Sequence, residues 1–144
     1  MIRDAMTRGA KTCTADDTIQ QAAKLMKECD CGIVPVADGD RLVGMITDRD
    51  IAIRCVAEGK GADCKVRDAM TNEVKYCFDD EDIDHVCENM ASIQVRRLPV
   101  VNHQKRLVGI VSLSDLAHQQ LDTARALHGI AQPSAQHNQS RAAA

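Results

Sequence analysis

The sequence predicts an α+β chain made of two copies of one strand–helix–strand–strand–helix unit, a βαββα plan, packed about a pseudo-two-fold axis. Three observations point there. Short segments recur in the same order at a nearly constant offset. Each copy switches between helical and strand periods of apolar residues. Turn residues fall between those segments.

The repeat is direct. "IRDAMT" at Ile2–Thr7 returns as "VRDAMT" at Val66–Thr71. "IVPVAD" at Ile33–Asp38 returns as "RLPVVN" at Arg97–Asn102. "RLVGMIT" at Arg41–Thr47 returns as "RLVGIVS" at Arg106–Ser112. The offset is 64 residues for the first two and 65 for the third. The extra residue falls in a turn, where "DGD" becomes "NHQK", the place where insertions are tolerated. The expected organisation is one unit over residues 1–63, a second over 64–128, and a tail over 129–144. From Gln132 the tail reads "QPSAQHNQSRAAA", polar and without period, a composition that predicts disorder.

Within the first copy, "AKTCT" is an extended lead-in, and Asp16 or Asp17 is a candidate N-cap. Ile19, Ala22, Ala23 and Met26 then follow at helical spacing. "CGIVPVAD" reads as a strand, Asp38-Gly39 as a hairpin turn and "RLVGMIT" as the return strand. "DRDIAIRCVAEG" reads as a helix closed by Gly59. In the second copy Asp79 or Asp80 would cap a helix carrying Ile83, Val86, Cys87 and Met90. Matching apolar positions predict matching packing, since each small sheet needs one face covered. Pro35 and Pro99 lie inside the apolar strands and predict an edge or break in the ladder. The last helix carries Leu113, Leu116, Ala117, Leu121, Ala124 and Leu127, a stripe longer than its unit needs, which suggests packing on a partner chain.

Composition excludes several function classes. The 144 residues include one Tyr, one Phe and no Trp, so base-stacking platforms for single strands are not expected. A formal net charge of −3 offers no footprint for duplex nucleic acid. No apolar run approaches the roughly 18 residues a membrane span requires. The N-terminus has no apolar signal-peptide core. Seven cysteines, an odd number without C-x-x-C, fit free thiols in a reducing cytoplasm better than a disulfide framework. Cys29-x-Cys31 is the one close pair, a weak metal or redox signal. The five histidines show no ligand spacing, no nucleophile–base set is evident, and no glycine-rich phosphate loop appears, so neither an enzyme nor a metal site is expected.

The motifs "VRDAMT", "RRLPVV", "GMITDRDI" and "GIVSLSDL", occurring in order, resemble the CBS domain, and the tandem resembles a CBS pair or Bateman module. The resemblance covers about Met1 to Leu121, and the overall layout is also similar to small stand-alone bacterial CBS-pair proteins. It implies two βαββα units with ligand clefts between them, a homodimer, and an adenosine-containing ligand: AMP, ADP or ATP, or else NAD or S-adenosylmethionine. It further implies a regulatory module that signals to a partner protein in trans.

The resemblance also implies site residues. Asp50 and Asp115 end the two G-x-x-[ST]-x-x-D motifs and would accept from ribose hydroxyls, as an ionised carboxylate can. Thr47 and Ser112 would reach the ribose or phosphate, and the backbone at Val34 and Leu98 the adenine edge. Arg96 and Arg97 would hold phosphate through their planar forks. Gly32 and Ile33 occupy the matching places in the first copy, so the two sites are chemically unequal and phosphate charge is expected from Arg96 and Arg97. Arg49 is a weaker candidate. Thr-x-x-Asp is equally the signature of a helix capping box, worth about 1 kcal/mol with no ligand at all. A protein with vestigial clefts and a thiol redox sensor are the competing readings.

Overall fold

The computed structural model describes residues 1–128, with side chains described to Leu121. Six strands and four helices follow the predicted order. They are β1 (Thr7–Arg8), α1 (Ile19–Cys29), β2 (Ile33–Asp38), β3 (Arg41–Thr47), α2 (Asp48–Asp50), β4 (Cys77–Phe78), α3 (Ile83–Ile93), β5 (Arg97–Val101), β6 (Leu107–Ser112) and α4 (Leu113–His128). Single 3-10 turns form at Ile2–Asp4 and Val66–Asp68. α2 continues as a π-helix over Ile51–Val56, with Ala57 N donating to Ala52 O at 2.9 Å.

The chain forms two compact units, and neither is one continuous stretch of sequence. Among the described residues, one comprises 1–8, 76–103 and 108–128, and the other comprises 9–75 and 104–107. The lead-in segments account for this division. In the first of these units β1 pairs antiparallel with β6, Thr7 opposite Ile110, and β4 runs parallel to β5, Cys77 opposite Val100. The sheet order is β1-β6-β5-β4. The other unit has the same plan in reduced form. β2 and β3 make a hairpin, Cys13 bridges Val36 in parallel, and Met45 bridges Thr71 antiparallel. Each "DAMT" segment therefore pairs with the hairpin of the other repeat.

The two cores are separate clusters built alike. One gathers Cys13, Ile19, Ala22, Met26, Val34, Val36, Ile46, Cys55, Val66 and Ala69. The other gathers Ile2, Met6, Cys77, Val86, Met90, Leu98, Val100, Val111 and Leu116. All of these are aliphatic or sulfur-bearing, as the near absence of aromatic residues requires. Gly44 and Gly109 owe their place to the lead-in segments. A Cβ on Gly109 would lie 2.7 Å from the Thr7 carbonyl, and one on Gly44 would lie 3.0 Å from the Thr71 carbonyl.

Several local expectations are corrected. Thr18, not Asp16 or Asp17, caps α1, accepting from Gln21 N while Gln21 Oε1 accepts from Thr18 N at 2.8 Å. Asp17 instead accepts from Thr14 N, and Asp16 pairs with Arg67. Asp82, not Asp79 or Asp80, caps α3 by accepting from Asp84 N and His85 N. In both cases the acidic run holds the turn just ahead of the helix. Ala23 is exposed, because the buried stripe of α1 is the narrower Ile19, Ala22 and Met26. At Pro99 the expected break is present: β5 is an interior strand, but β4 pairs only at Val100 and Val101, so that ladder stops short of the proline. In α4, Leu116 is buried in its own unit and Ala117 is exposed, while the side chains of Ala124 and Leu127 and the whole 129–144 tail lie outside the described residues.

Candidate functional site

β2 and β3 place Thr47 at the end of the hairpin, opposite Ile33 and one step from the Val34–Ile46 pair. Thr47 is extended, and its hydroxyl accepts from Asp50 N at 3.0 Å. Asp50 Oδ2 accepts from Thr47 N at 2.9 Å. The helix start is also tied to the strand start, since Asp48 N donates to Gly32 O at 2.9 Å. The capping reading is thus fully realised, and it uses only one carboxylate oxygen of Asp50. The other, Oδ1, lies 3.8 Å from Arg54 Nε, and the carboxylate is 16% exposed. Arg54 is held in turn by the Ala69 and Met70 carbonyls, each at 3.1 Å. Sequence reading missed Arg54, although its i,i+4 spacing from Asp50 is the signal that would have found it.

The second repeat builds the same junction in its own unit. Ser112 N donates to Asp115 Oδ2 and Asp115 N to Ser112 Oγ, both at 3.1 Å. Leu113 N donates to Arg96 O at 2.9 Å. Arg97 opens β5 and is half-buried, Arg96 is exposed, and Leu98 is buried. One unit therefore brings together Arg96, Arg97, Leu98, Ser112 and Asp115, and the other Val34, Thr47 and Asp50. The side chains of Val34 and Leu98 belong to the cores, which leaves only their backbone for a ligand. Arg49 is exposed, its N–H bonded to Asp48 Oδ1 at 2.8 Å.

Gly32 marks one place where the copies diverge. A Cβ there would lie 2.9 Å from Asp48 Oδ2. In the second copy Leu113 stands where Asp48 does, and Arg96 stands where Gly32 does.

The chain belongs to the CBS domain family. The family's sequence model matches residues 2–56 and 66–122. The chain is 41% identical over 120 residues to the CBS domain-containing protein YhcV of Bacillus subtilis, covering 83% of this chain and 85% of YhcV. It is similar to a crystal structure of Hypoxic Response Protein I with two coordinated zinc ions, with 36% identity, coverage of 81% and 96%, and a TM-score of 0.74. It is also similar to the CBS domain pair of protein MJ0100 in complex with 5′-methylthioadenosine and S-adenosyl-L-methionine, with 28% identity, coverage of 85% and 97%, and a TM-score of 0.73.

The remaining chemistry-bearing residues divide as follows. Among the described residues no group of three or more His, Cys, Asp or Glu is placed to hold a metal ion. No described helix is long and apolar enough to cross a membrane. Tyr76 and Phe78 pack edge-on at 5.7 Å, and Phe78 stacks on His103 at 4.7 Å. His103 Nε2 lies 2.6 Å from Asp80 Oδ2, and that hydrogen bond holds the Asp80 carboxyl below its ordinary range. The expectation of seven free thiols is corrected: Cys29 and Cys31 form a disulfide. Asp30 between them is left-handed at φ 51°, which ends α1 and brings the two Cα atoms to 5.4 Å.

Proposed function

We propose that this CBS pair is a regulatory module that binds an adenosine-containing ligand at the Thr47–Asp50 and Ser112–Asp115 junctions and signals to a partner protein in trans. The observation that carries the reading is the reciprocal cap found at both junctions. It fixes a carboxylate at each helix start beside a proline-bearing strand, and an ionised carboxylate can accept from both hydroxyls of a ribose diol. The MJ0100 pair, 28% identical, is complexed with two adenosyl compounds, which favours the same ligand class here. In this reading Asp50 and Asp115 take ribose hydroxyls, Thr47 and Ser112 reach ribose or phosphate, and the backbone at Val34 and Leu98 meets adenine. Arg96 and Arg97 take phosphate, so the second junction suits AMP, ADP, ATP or NAD. The first junction lacks that charge and suits S-adenosylmethionine or methylthioadenosine better. A ligand can shift the protein between states only by its difference in affinity for them.

The test is the melting temperature with each of these compounds, on wild type, Asp50→Ala and Asp115→Ala. A ligand at 100 times its Kd stabilises by about 2.7 kcal/mol. At roughly 2–4 °C per kcal/mol that shift is readable. The expected result is a shift in wild type that at least one Asp variant loses. No shift with any adenosyl compound favours vestigial sites, with both carboxylates serving as caps alone.

A further inference from the structure

Besides the Cys29–Cys31 disulfide, the unit of residues 9–75 holds a second cysteine pair, free and in contact. The sulfurs of Cys55 and Cys64 are 3.1 Å apart. A disulfide spans about 2.05 Å, so closure needs about 1 Å of further approach. We propose that Cys55 and Cys64 are an oxidisable dithiol, a modification site that a peroxide closes to a disulfide.

The scaffold holds both residues in place. Cys55 lies on the π-helix that continues α2, and its carbonyl accepts from Lys60 N at 2.9 Å. Cys64 N donates to Gly61 O at 3.0 Å, and Cys64 O accepts from Ile19 N at 2.8 Å, at the first turn of α1. The intervening residues Val56–Asp63 are exposed and can follow a small displacement of either end. The other buried thiols face elsewhere: Cys13 donates toward Pro35 O at 3.9 Å and Cys77 toward Pro99 O at 4.0 Å.

Exposure sets the order of the chemistry. Cys64 is half-buried and Cys55 is fully buried. Burial, then the hydrogen bond to Cys64, pushes the Cys55 thiol up to about 11, which suits the resolving partner rather than the first nucleophile. The Cys64 thiolate attacks one peroxide oxygen, the O–O bond breaks, and Cys64 becomes a sulfenic acid with release of water. The Cys55 sulfur then attacks the Cys64 sulfur. The S–S bond forms as the S–O bond breaks, and the departing hydroxyl leaves with the Cys55 proton as a second water. One hydrogen peroxide and two thiols thus give one disulfide and two waters. The new bond staples the 56–63 loop against the start of α1, because Ala62 O and Cys64 O accept from Gln20 N and Ile19 N.

The test uses the full chain with Cys29–Cys31 intact. It is exposed to stoichiometric hydrogen peroxide, alkylated and digested with trypsin. Cleavage at Lys60 separates the two cysteines, so the disulfide appears as CVAEGK joined to GADCK. That pair is expected to form ahead of every other pairing. Cys64→Ser should abolish it and leave Cys55 alkylatable after unfolding. Cys55→Ala should leave a sulfenic acid on Cys64 that dimedone traps. Melting curves of both variants establish that they fold, and the wild-type pairing preference stands even where a variant does not. Pairings spread over the five free thiols, Cys87 reacting first, or sulfinic acid on Cys64 while Cys55 is present would each overturn the proposal.

Discussion

The two strand-to-helix junctions, residues 32–54 and 96–119, share a skeleton and differ in charge. In both, the first helical N–H reaches the carbonyl ahead of the strand at 2.9 Å, and Thr47–Asp50 or Ser112–Asp115 cap each other. The first then carries Gly32, Asp48 and Arg54, and the second Arg96, Leu113 and Gln119. A Cβ on Gly32 would lie 2.9 Å from the Asp48 carboxylate, and the second junction has Arg96 and Leu113 at the matching places. Arg54 sits against Asp50, whereas a neutral Gln119 follows Asp115. Backbone geometry is what the repeat preserves, and side-chain charge is where the copies depart from one another.

The largest expected effect breaks the shared skeleton. Gly109→Ala sets a Cβ 2.7 Å from the Thr7 carbonyl, which is held in the β1–β6 ladder and cannot move aside. Overpacking of this kind costs about 1–3 kcal/mol. Gly44→Ala should cost less, because its nearest obstacle, at 2.9 Å, is the flexible Met70 sulfur. Urea denaturation should show a larger midpoint drop for Gly109→Ala at unchanged slope. Equal costs would mean that the two lead-in segments are equally yielding.

A second comparison pairs Cys13 with Cys77, which occupy matching places in the two units. Burial pushes the Cys13 thiol up to about 11 and the Cys77 thiol up to about 12, with Asp17 and Glu81 adding to the respective shifts. A thiol is neutral when protonated, so a raised folded value contributes stability that is intact below the ordinary thiol value of 9.0 and is lost as pH rises through the folded value. Stability should therefore fall above pH 9 by up to about 1.4 kcal/mol per pH unit for each such thiol. Denaturation midpoints across alkaline pH should show Cys77→Ala flattening that fall at least as much as Cys13→Ala, after allowing for its own baseline loss.

Much of this is legible in the sequence. Three recurring segments set the unit, its hairpins and the Thr47 and Ser112 helix starts, because strand period and turn residues are local signals. The pairing of each "DAMT" segment with the other repeat's hairpin was not legible, since identical segments do not say which copy they join. The cap residues are not legible for a related reason: runs such as "ADDT" and "DDED" offer several oxygens, and only the backbone decides which one meets the helix. The Cys55–Cys64 contact depends on a loop and a π-helix, and neither carries a periodic signature.

The smallest stability effect gives the sharpest test of the charge difference. Gly32→Arg with Asp48→Leu transfers the second copy's residues to the first. Gly32 is not among the positive-φ residues, so its backbone accepts a side chain, and removing Asp48 clears the 2.9 Å approach. Asp48 is exposed, and stability should stay within about 0.5 kcal/mol. Gly32→Arg alone should cost more, because its Cβ must displace the Asp48 carboxylate. If phosphate selectivity resides in these positions, the double variant binds ATP several-fold tighter with little change toward S-adenosylmethionine, as calorimetry would read directly. A gain that appears equally for both ligands, or that Gln119→Arg reproduces, would assign it to net charge instead of to the junction.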